Sequence, residues 1–416
     1  MRWAAAVFVL GAFLAGCGGK DDAEAVTLSG CTEVVSGGGG KPDVLVVSDL
    51  PRRGVGADTT KVMVDAIEFT LRRHHFRAGD YRVGYQSCND TSGDEPYDTQ
   101  LCRRNARAYV AAEAVVGIIG PWNSGCAIEQ IPIVSRKDAG PLAMISPSNT
   151  YGGLTLPSLG AERLYPDGVR SYARVVTHDL AQGGAAVQAA KRLGARRIAL
   201  VHQDYGDEYV RGLAESFRES ARELGLEVRE FKWTTRPNYR TLGRSVAAMN
   251  ADAVYFAGVT ELNARRLVVD LRAALGSDVT FLAPDSFAAE EIAKALGPAA
   301  EGMRLTVPGI PPDLLPPAGK RFAQAFGPSL IVPRQLGAPE AAQATDVLLD
   351  AIARSDGSRA SVARELFATR IKNGILGSFS FDRNGDIVPR PVGLYRIERG
   401  KIVTDGVVRV PLGDGR

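Results

Sequence analysis

Residues 115–126 read V-V-G-I-I-G-P-W-N-S-G-C, a nearly all-apolar run that passes directly into a polar turn. Such a run is typical of a β-strand buried on both faces, as in a parallel sheet covered by helices. The amphipathic segment 100–112 precedes it, and a second apolar run, residues 142–145, follows it. This alternation predicts βαβ units and an α/β fold built on a parallel sheet.

The same alternation extends along the rest of the chain. Residues 44–48 predict the first strand, residues 59–73 a helix, and residues 81–86 a second strand. A second alternating series runs from residue 182 to residue 282, so we expect two similar α/β lobes. Residues 306–317 contain five prolines and therefore predict a connection, not a central strand or helix.

The composition is typical of a soluble globular protein. The chain has 416 residues, 45% of them hydrophobic and 23% charged, with a formal net charge of +3. This length allows two or three domains with substantial cores and argues against a largely disordered chain. Because the net charge is small and no run of Lys and Arg occurs, we do not expect nucleic acid as a partner.

The N-terminus carries the features of an export signal. One positive charge precedes an apolar run, residues 3–13, which is shorter than the roughly 20 residues needed to span a bilayer. The following L-A-G-C, residues 14–17, resembles the lipobox of bacterial lipoproteins. This resemblance implies a signal peptide over residues 1–16, a diacylglyceryl group on Cys17, acylation of its new amino group, for example by palmitate, and a flexible leader over residues 17–40 outside the membrane. The alternative is an ordinary signal peptide with a chance cysteine.

Sequence motifs of known catalytic sites are missing. Residues 37–41 precede a strand, whereas a Walker-type loop opens a helix, and residues 54–56 lack the third glycine of a dinucleotide fingerprint. No Gly-x-Ser-x-Gly elbow occurs, and the four histidines show no metal-ligand spacing. We therefore predict no enzymatic activity, no cofactor and no metal site.

Polar turns follow the predicted strands of both series. In open α/β sheets, ligands bind outside the carboxyl ends of the strands. Five turns hold small hydroxyls, an aromatic ring and an acid, which are groups that hydrogen-bond a small polar ligand. They are residues 49–51, 120–126, 146–150, 203–206 and 284–286. One such turn alone could be a cap, but five at equivalent positions predict a binding site.

Five short segments share the order and spacing of a known family. They are G-I-I-G-P (117–121) with Ser124, I-P-I (131–133), M-I-S-P-S-N-T (144–150), D-Y-G (204–206) and A-E-G-M (300–303). Together they resemble the leucine/isoleucine/valine-binding family of periplasmic binding proteins, the substrate-binding proteins of ABC transporters. The resemblance implies two Rossmann-like lobes joined by three hinge crossovers. Lobe one would comprise residues 41–175 and 308–376, and lobe two residues 176–307 and 377–416.

The resemblance also assigns ligand-binding positions. In lobe one it implies that Ser124 binds the carboxylate of an amino acid, and that the next turn anchors the ligand through the backbone carbonyl of Ser148 and through Thr150. In lobe two it implies a cleft tyrosine at Tyr205 and an acid at Asp285 that pairs with the ligand's ammonium. Such a set suits a zwitterion, because hydroxyls and backbone N–H groups satisfy the carboxylate while the acid balances the ammonium.

Alternatives stay open at some of these positions. Asp285 could instead cap a helix over residues 287–295. Trp122 could stack against a ligand or pack on its own lobe. The family's aromatic position has no clear counterpart near Glu261, which could add a second acid. Branched-chain amino acids are therefore one candidate class beside other amino acids, amides and urea-like solutes.

Four cysteines remain besides Cys17. Outside the cytoplasm they are expected to form disulfides, and four cysteines allow three pairings. Related proteins carry a bridge close to the positions of Cys102 and Cys126, which favours that pair. Cys31 then pairs with Cys88, which requires residues 32–35 to run antiparallel beside the second strand.

The whole pattern predicts a lipid-anchored, extracytoplasmic solute-binding protein. It would capture an amino-acid-like ligand by hinge closure and deliver it to an ABC permease. The alternative from another class is a lipoprotein whose closure signals the ligand to a membrane kinase.

Overall fold

The computed structural model describes residues 30–38, 40–93, 97–138, 140–203, 208–234, 239–260, 263–327 and 337–410. Its strands are β1 (Val44–Asp49), β2 (Arg77–Ala78), β3 (Tyr81–Cys88), β4 (Val115–Ile119), β5 (Ala143–Ser146), β6 (Tyr172–Arg174), β7 (Arg197–Gln203), β8 (Glu227–Trp233), β9 (Ala253–Ala257), β10 (Thr280–Ala283), β11 (Arg304–Pro308), β12 (Arg370–Gly374), β13 (Gly377–Phe381), β14 (Ile387–Val388), β15 (Pro391–Glu398) and β16 (Lys401–Arg409). Its α-helices are α1 (Ala57–Arg73), α2 (Thr99–Ala111), α3 (Ser124–Val134), α4 (Asp179–Arg192), α5 (Glu208–Glu223), α6 (Tyr239–Ala247), α7 (Ala264–Leu275), α8 (Glu290–Leu296), α9 (Pro317–Phe326), α10 (Ala338–Arg354) and α11 (Arg359–Phe367).

The first lobe is built on a sheet with strand order β2-β3-β1-β4-β5-β6. All pairs in it are parallel except β2 with β3. The apolar run at residue 115 forms β4, and every residue of that strand is buried, as predicted. A Cβ on Gly117 would lie 2.7 Å from Leu348 Cδ1 of α10, so this glycine lets the helix pack directly on the strand. The α/β prediction is confirmed for this lobe.

The second lobe is built on a sheet with strand order β16-β15-β11-β10-β9-β7-β8. Strands β7 to β11 are parallel, and β15 and β16 add an antiparallel edge. Strand β11 lies inside this sheet, so the prediction that residues 306–317 form only a connection is wrong for its first three residues. The proline rule is still obeyed, because Pro308 is the last residue of the strand and removes no interior donor.

The chain passes between the hydrophobic clusters of lobe one and those of lobe two three times. The residues that flank the crossings are Val175 and Ala181, Val307 and Leu315, and Ile387 and Val392. The third crossing lies beyond Ile387, later than the boundary predicted at residues 376 and 377. The reason is that Phe379 and Phe381, alternate residues of β13, pack into the first-lobe core.

Two disulfides brace the first lobe. Cys31 pairs with Cys88 and Cys102 with Cys126, the pairing that the resemblance favoured. Val35 forms an antiparallel bridge to Tyr85 of β3, as that pairing required. Within the described ranges, no helix is both long enough and apolar enough to cross a membrane.

Candidate ligand-binding cleft

The turns after β4 and β5 are joined by hydrogen bonds into one unit at the carboxyl end of the first sheet. Ser148 Oγ donates a hydrogen bond to the Trp122 carbonyl at 2.9 Å, and Asn149 Nδ2 donates to the same oxygen at 2.9 Å. Ser146 Oγ donates to the Pro121 carbonyl at 3.0 Å. Because these bonds join turns 121–124 and 146–150, the structure brings Trp122, Ser124, Ser148 and Thr150 together as a group.

The N-terminus of α3 opens onto this unit. Ser124 is the first helical residue, and the side chain of the N-cap residue Asn123 accepts the Gly125 N–H at 2.7 Å. Ser124 Oγ accepts the Tyr151 N–H at 3.3 Å, which ties the helix start to the end of the second turn. A helix N-terminus favours negative charge, so this end of α3 is suited to a carboxylate.

The indole of Trp122 has a packing role. A Cβ on Gly56 would lie only 2.6 Å from Trp122 Cζ3, so the ring sits directly against the glycine that precedes α1. Gly56 also has a φ of 84°, a conformation that residues with a Cβ rarely adopt. The half-buried ring packs beside the first-lobe core as well. A stacking role for Trp122 toward a ligand stays a prediction.

Asp285 holds the corresponding position in the second lobe, in a short 3₁₀ turn after β10. Its Oδ1 accepts hydrogen bonds from Gln182 Nε2 at 2.7 Å and from the Tyr209 hydroxyl at 2.9 Å. Gln182 is held in turn by the Thr306 carbonyl at 2.9 Å. The side chain caps no helix: α8 starts later, with Ala289 as its N-cap. The carboxylate is therefore fixed by α4 and α5.

Burial determines the acid–base behaviour of Asp285. Desolvation raises the pKa of its carboxyl group, while the hydrogen bonds from Gln182 and Tyr209 act in the opposite direction. A carboxylate whose ionisation is opposed by burial gains free energy from a cationic partner. Asp285 is thus suited to an ammonium group in chemical terms.

The two lobes touch beside these groups. Arg211 Nη2 of α5 donates to the Tyr151 hydroxyl at 3.0 Å, and its guanidinium lies 5.8 Å from the centre of the Tyr151 ring. A Cβ on Gly212 would lie 3.0 Å from Tyr151 Cδ2, so this glycine allows the ring to approach α5 closely. The Asp179 N–H, at the start of α4, donates to the Thr150 carbonyl at 2.8 Å. These bonds place the turns of lobe one against α4 and α5 of lobe two.

Some predicted residues lie outside the described ranges. Tyr205, Glu261 and Cys17 are among them, and their roles stay predictions. Sequence reasoning missed Gln182 and Tyr209, which position Asp285. The available signal was weak: in the sequence Tyr209 follows Tyr205 by four residues, and an isolated glutamine belongs to no motif.

A comparison with protein families decides the class. The model of the family described as "Periplasmic binding protein" matches residues 50–401, which is most of the chain. The chain belongs to the periplasmic binding protein family. The resemblance inferred from its short segments is thereby confirmed, and the two-lobed architecture agrees with it.

Individual relatives cover nearly the same span. Leu/Ile/Val-binding protein homolog 1 of Brucella melitensis is 23% identical over 372 residues, covering 88% of this chain and 94% of that protein. The crystal structure of a leucine binding protein of Thermotoga maritima is 24% identical with a TM-score of 0.73, covering 88% of this chain and 99% of that one. A solute binding protein of R. palustris in complex with benzoate is 19% identical with a TM-score of 0.69, covering 89% and 98%. The shared fold thus serves chemically different ligands.

Proposed function

We propose that this periplasmic binding protein is an extracytoplasmic solute-binding protein that captures an amino acid, or a similar small zwitterion, by closure of its two lobes and delivers it to an ABC permease. Family membership supports binding without catalysis. The named ligands of relatives, leucine for one and Leu/Ile/Val for another, support the amino-acid class.

The observation that carries the proposal is the opposite charge preference of the two lobes. Lobe one offers the N-terminus of α3 and the hydroxyl of Ser124, which accepts the Tyr151 N–H and keeps its own proton for an anion. Lobe two offers the half-buried carboxylate of Asp285, which suits a cation. A ligand that carries both charges satisfies both surfaces. An aromatic carboxylate such as benzoate lacks the ammonium and would leave Asp285 uncompensated.

The proposed residue roles follow from this division. Ser124 would bind the ligand's carboxylate, the backbone carbonyl of Ser148 and Thr150 would anchor the ligand in lobe one, and Asp285 would pair with the ammonium. Tyr205 would line the lobe-two wall of the cleft. The identity of the ligand's side chain is left open, because the family's aromatic position has no clear match here.

A thermal-shift screen tests the proposal. A ligand that binds only the folded state raises the melting temperature, by an amount that grows with concentration above Kd. We expect at least one amino acid to raise it, and we expect its deaminated analogue and benzoate to have no effect. If benzoate raises the melting temperature and no amino acid does, the proposal is wrong, and the ligand class is the aromatic carboxylates.

The membrane anchor is a separate part of the proposal. It rests on the L-A-G-C sequence at residues 14–17 and would hold the protein on the outer face of the cytoplasmic membrane through lipid on Cys17. A Cys17→Ser protein should leave the membrane fraction during cell fractionation. If it still sediments with membranes, the lipid is not the anchor.

A further inference from the structure

Two buried carboxylates meet in lobe one, between the end of β1 and helices α2 and α3. Carboxylate oxygens of Asp49 and Asp90 and the sulfur of Cys126 all lie within 4.8 Å of one another. Both aspartates are fully buried. Cys126 is bonded to Cys102 and so offers no thiolate, which leaves the two acids as the charged groups of the cluster.

The two carboxylates have very different surroundings. Asp49 accepts hydrogen bonds from Asn105 Nδ2 at 2.8 Å, from the Tyr109 hydroxyl at 2.8 Å and from Gln130 Nε2. In the described part of the chain, no other residue donates a hydrogen bond to either oxygen of Asp90. No lysine, arginine or histidine there forms an ion pair with either acid. Burial and the charge of Asp49 together raise the pKa of Asp90 well above its usual range.

Gln130 adds a second, independent observation. Its side chain is fully buried and reaches into the cluster, because its Nε2 donates to Asp49. Its amide oxygen, bonded to the same carbon, has no partner within the described ranges. All the unpartnered atoms of Asp90 and Gln130 are therefore acceptors, and a proton shared between the two aspartates would leave the Gln130 oxygen unsatisfied.

We propose that Asp49, Asp90 and Gln130 form a site for one divalent cation of the calcium class. Carboxylate and amide oxygens are the ligands that such hard cations prefer, and two carboxylates balance a double positive charge. A carboxylate has about four acceptor positions, so Asp49 retains capacity beyond its three donors. The cation would fasten the end of β1 to the loop after β3 and to α3, the helix whose N-terminus faces the cleft. This inference does not depend on the proposed amino-acid ligand.

Calcium titration of the full-length protein tests the site without any amino acid present. After treatment with a chelator, the wild type should bind one Ca²⁺ per chain by calorimetry, and saturating Ca²⁺ should raise its melting temperature by about 5 °C or more. Asp90→Asn removes a charge and supplies a donor toward Asp49, so it should fold, bind no Ca²⁺ and show no shift. Asp138→Asn, at an exposed position of the same lobe, should behave as the wild type.

Two results would overturn the inference. The first is that the wild type binds neither Ca²⁺ nor Mg²⁺, and that its melting temperature falls from pH 5 to pH 8 by the same amount with and without the ions. That result would mean that the two carboxylates share a proton and hold no cation. The second is undiminished Ca²⁺ binding by Asp90→Asn, which would place the ion elsewhere. The wild-type titration decides the first point even if the variant does not fold.

Discussion

Asp285 is the residue on which ligand choice depends most strongly. Gln182 and Tyr209 both donate to its Oδ1, and among the described residues no side chain donates a hydrogen bond to its Oδ2. The carboxylate is therefore oriented by the protein while one oxygen stays available. Burial makes an uncompensated charge there costly, so a ligand ammonium gains more at Asp285 than at an exposed acid.

Replacing Asp285 by Asn should weaken amino-acid binding by about 10- to 100-fold, because a charge-assisted hydrogen bond becomes a neutral one. The amide oxygen can still accept from Gln182 and Tyr209, so we expect little loss of stability. Calorimetric Kd values measure the effect, and the exposed Asp278→Asn is a matched control in the same lobe. An unchanged Kd for Asp285→Asn would remove the ammonium role from this residue.

At the scale of elements, α10 packs closely on β4 because Gly117 of β4 has no side chain. A methyl group on Gly117 would meet Leu348 Cδ1 at 2.7 Å and Cδ2 at 2.8 Å. We expect Gly117→Ala to destabilise the protein by about 1–3 kcal/mol, the usual cost of overpacking a core. The midpoint of urea unfolding measures it.

A double-mutant cycle separates this contact from other effects of alanine. Leu348→Ala alone should be destabilising because it leaves a cavity. Combined with Gly117→Ala, it should cost less than the sum of the two single changes, since the new methyl group then has room. Strictly additive costs would show that the Gly117–Leu348 contact is not the constraint.

The elements that could be predicted from the sequence are those with a local pattern. The apolar run of β4 and the alternation of strands and helices needed no tertiary information. Strand β11 was missed at residues 306–308, because the proline-rich stretch hid a strand that ends on a proline. Residues 379–387 were placed in the wrong lobe, because alternating phenylalanines show that a strand has a buried face without showing which core buries it.

Part of the candidate site could likewise be predicted from local sequence, and part could not. Ser124, Ser148 and Asp285 lie in turns after strands, where topology alone points to a ligand. The residues that hold Asp285 in place could not be predicted, since the Gln182–Asp285 bond joins positions 103 apart. Contacts at that separation leave no periodic trace in the sequence.

At the scale of the whole molecule, a buried ion pair joins the two segments of lobe one that lead into the first and third crossings. Arg174 Nε lies 2.6 Å from Asp386 Oδ1, and Arg174 also donates to the Tyr151 carbonyl at 2.8 Å. Burial opposes ionisation of Asp386, but the charges and hydrogen bonds around it keep the pKa of its carboxyl below the ordinary value. His178 lies 4.0 Å from Asp386 in the first crossing, fully buried. Arg174 thus links the charged groups near these crossings to residue Tyr151, which follows the turn 146–150 of the candidate site.

His178 makes the stability of this hinge depend on pH. Burial lowers its pKa to about 3 from 6.5, although Asp386 acts in the opposite direction. Between these values the unfolded chain binds a proton that the folded protein does not, so the free energy of unfolding falls as the pH drops below 6.5. We expect His178 to account for about 2–3 kcal/mol of the loss between pH 6.5 and pH 4.5.

Urea unfolding of His178→Gln at these two pH values checks the prediction. The variant cannot gain the charge, so its stability should fall by correspondingly less than that of the wild type. The partly exposed His202→Gln is the matched control and should keep most of the wild-type loss. Equal losses in the wild type and His178→Gln would assign the pH dependence to other groups.

The central claim is that the two lobes bind opposite charges of one ligand. Calorimetry on the ligand-free protein tests it most directly, with the amino acid that gives the largest thermal shift and with the two analogues that each lack one of its charged groups. We predict one binding site per chain for the amino acid. Its deaminated acid and its decarboxylated amine should each bind at least about 10-fold more weakly, because each leaves one set of polar groups unpaired. Equal affinity for the amino acid and either analogue would contradict the account.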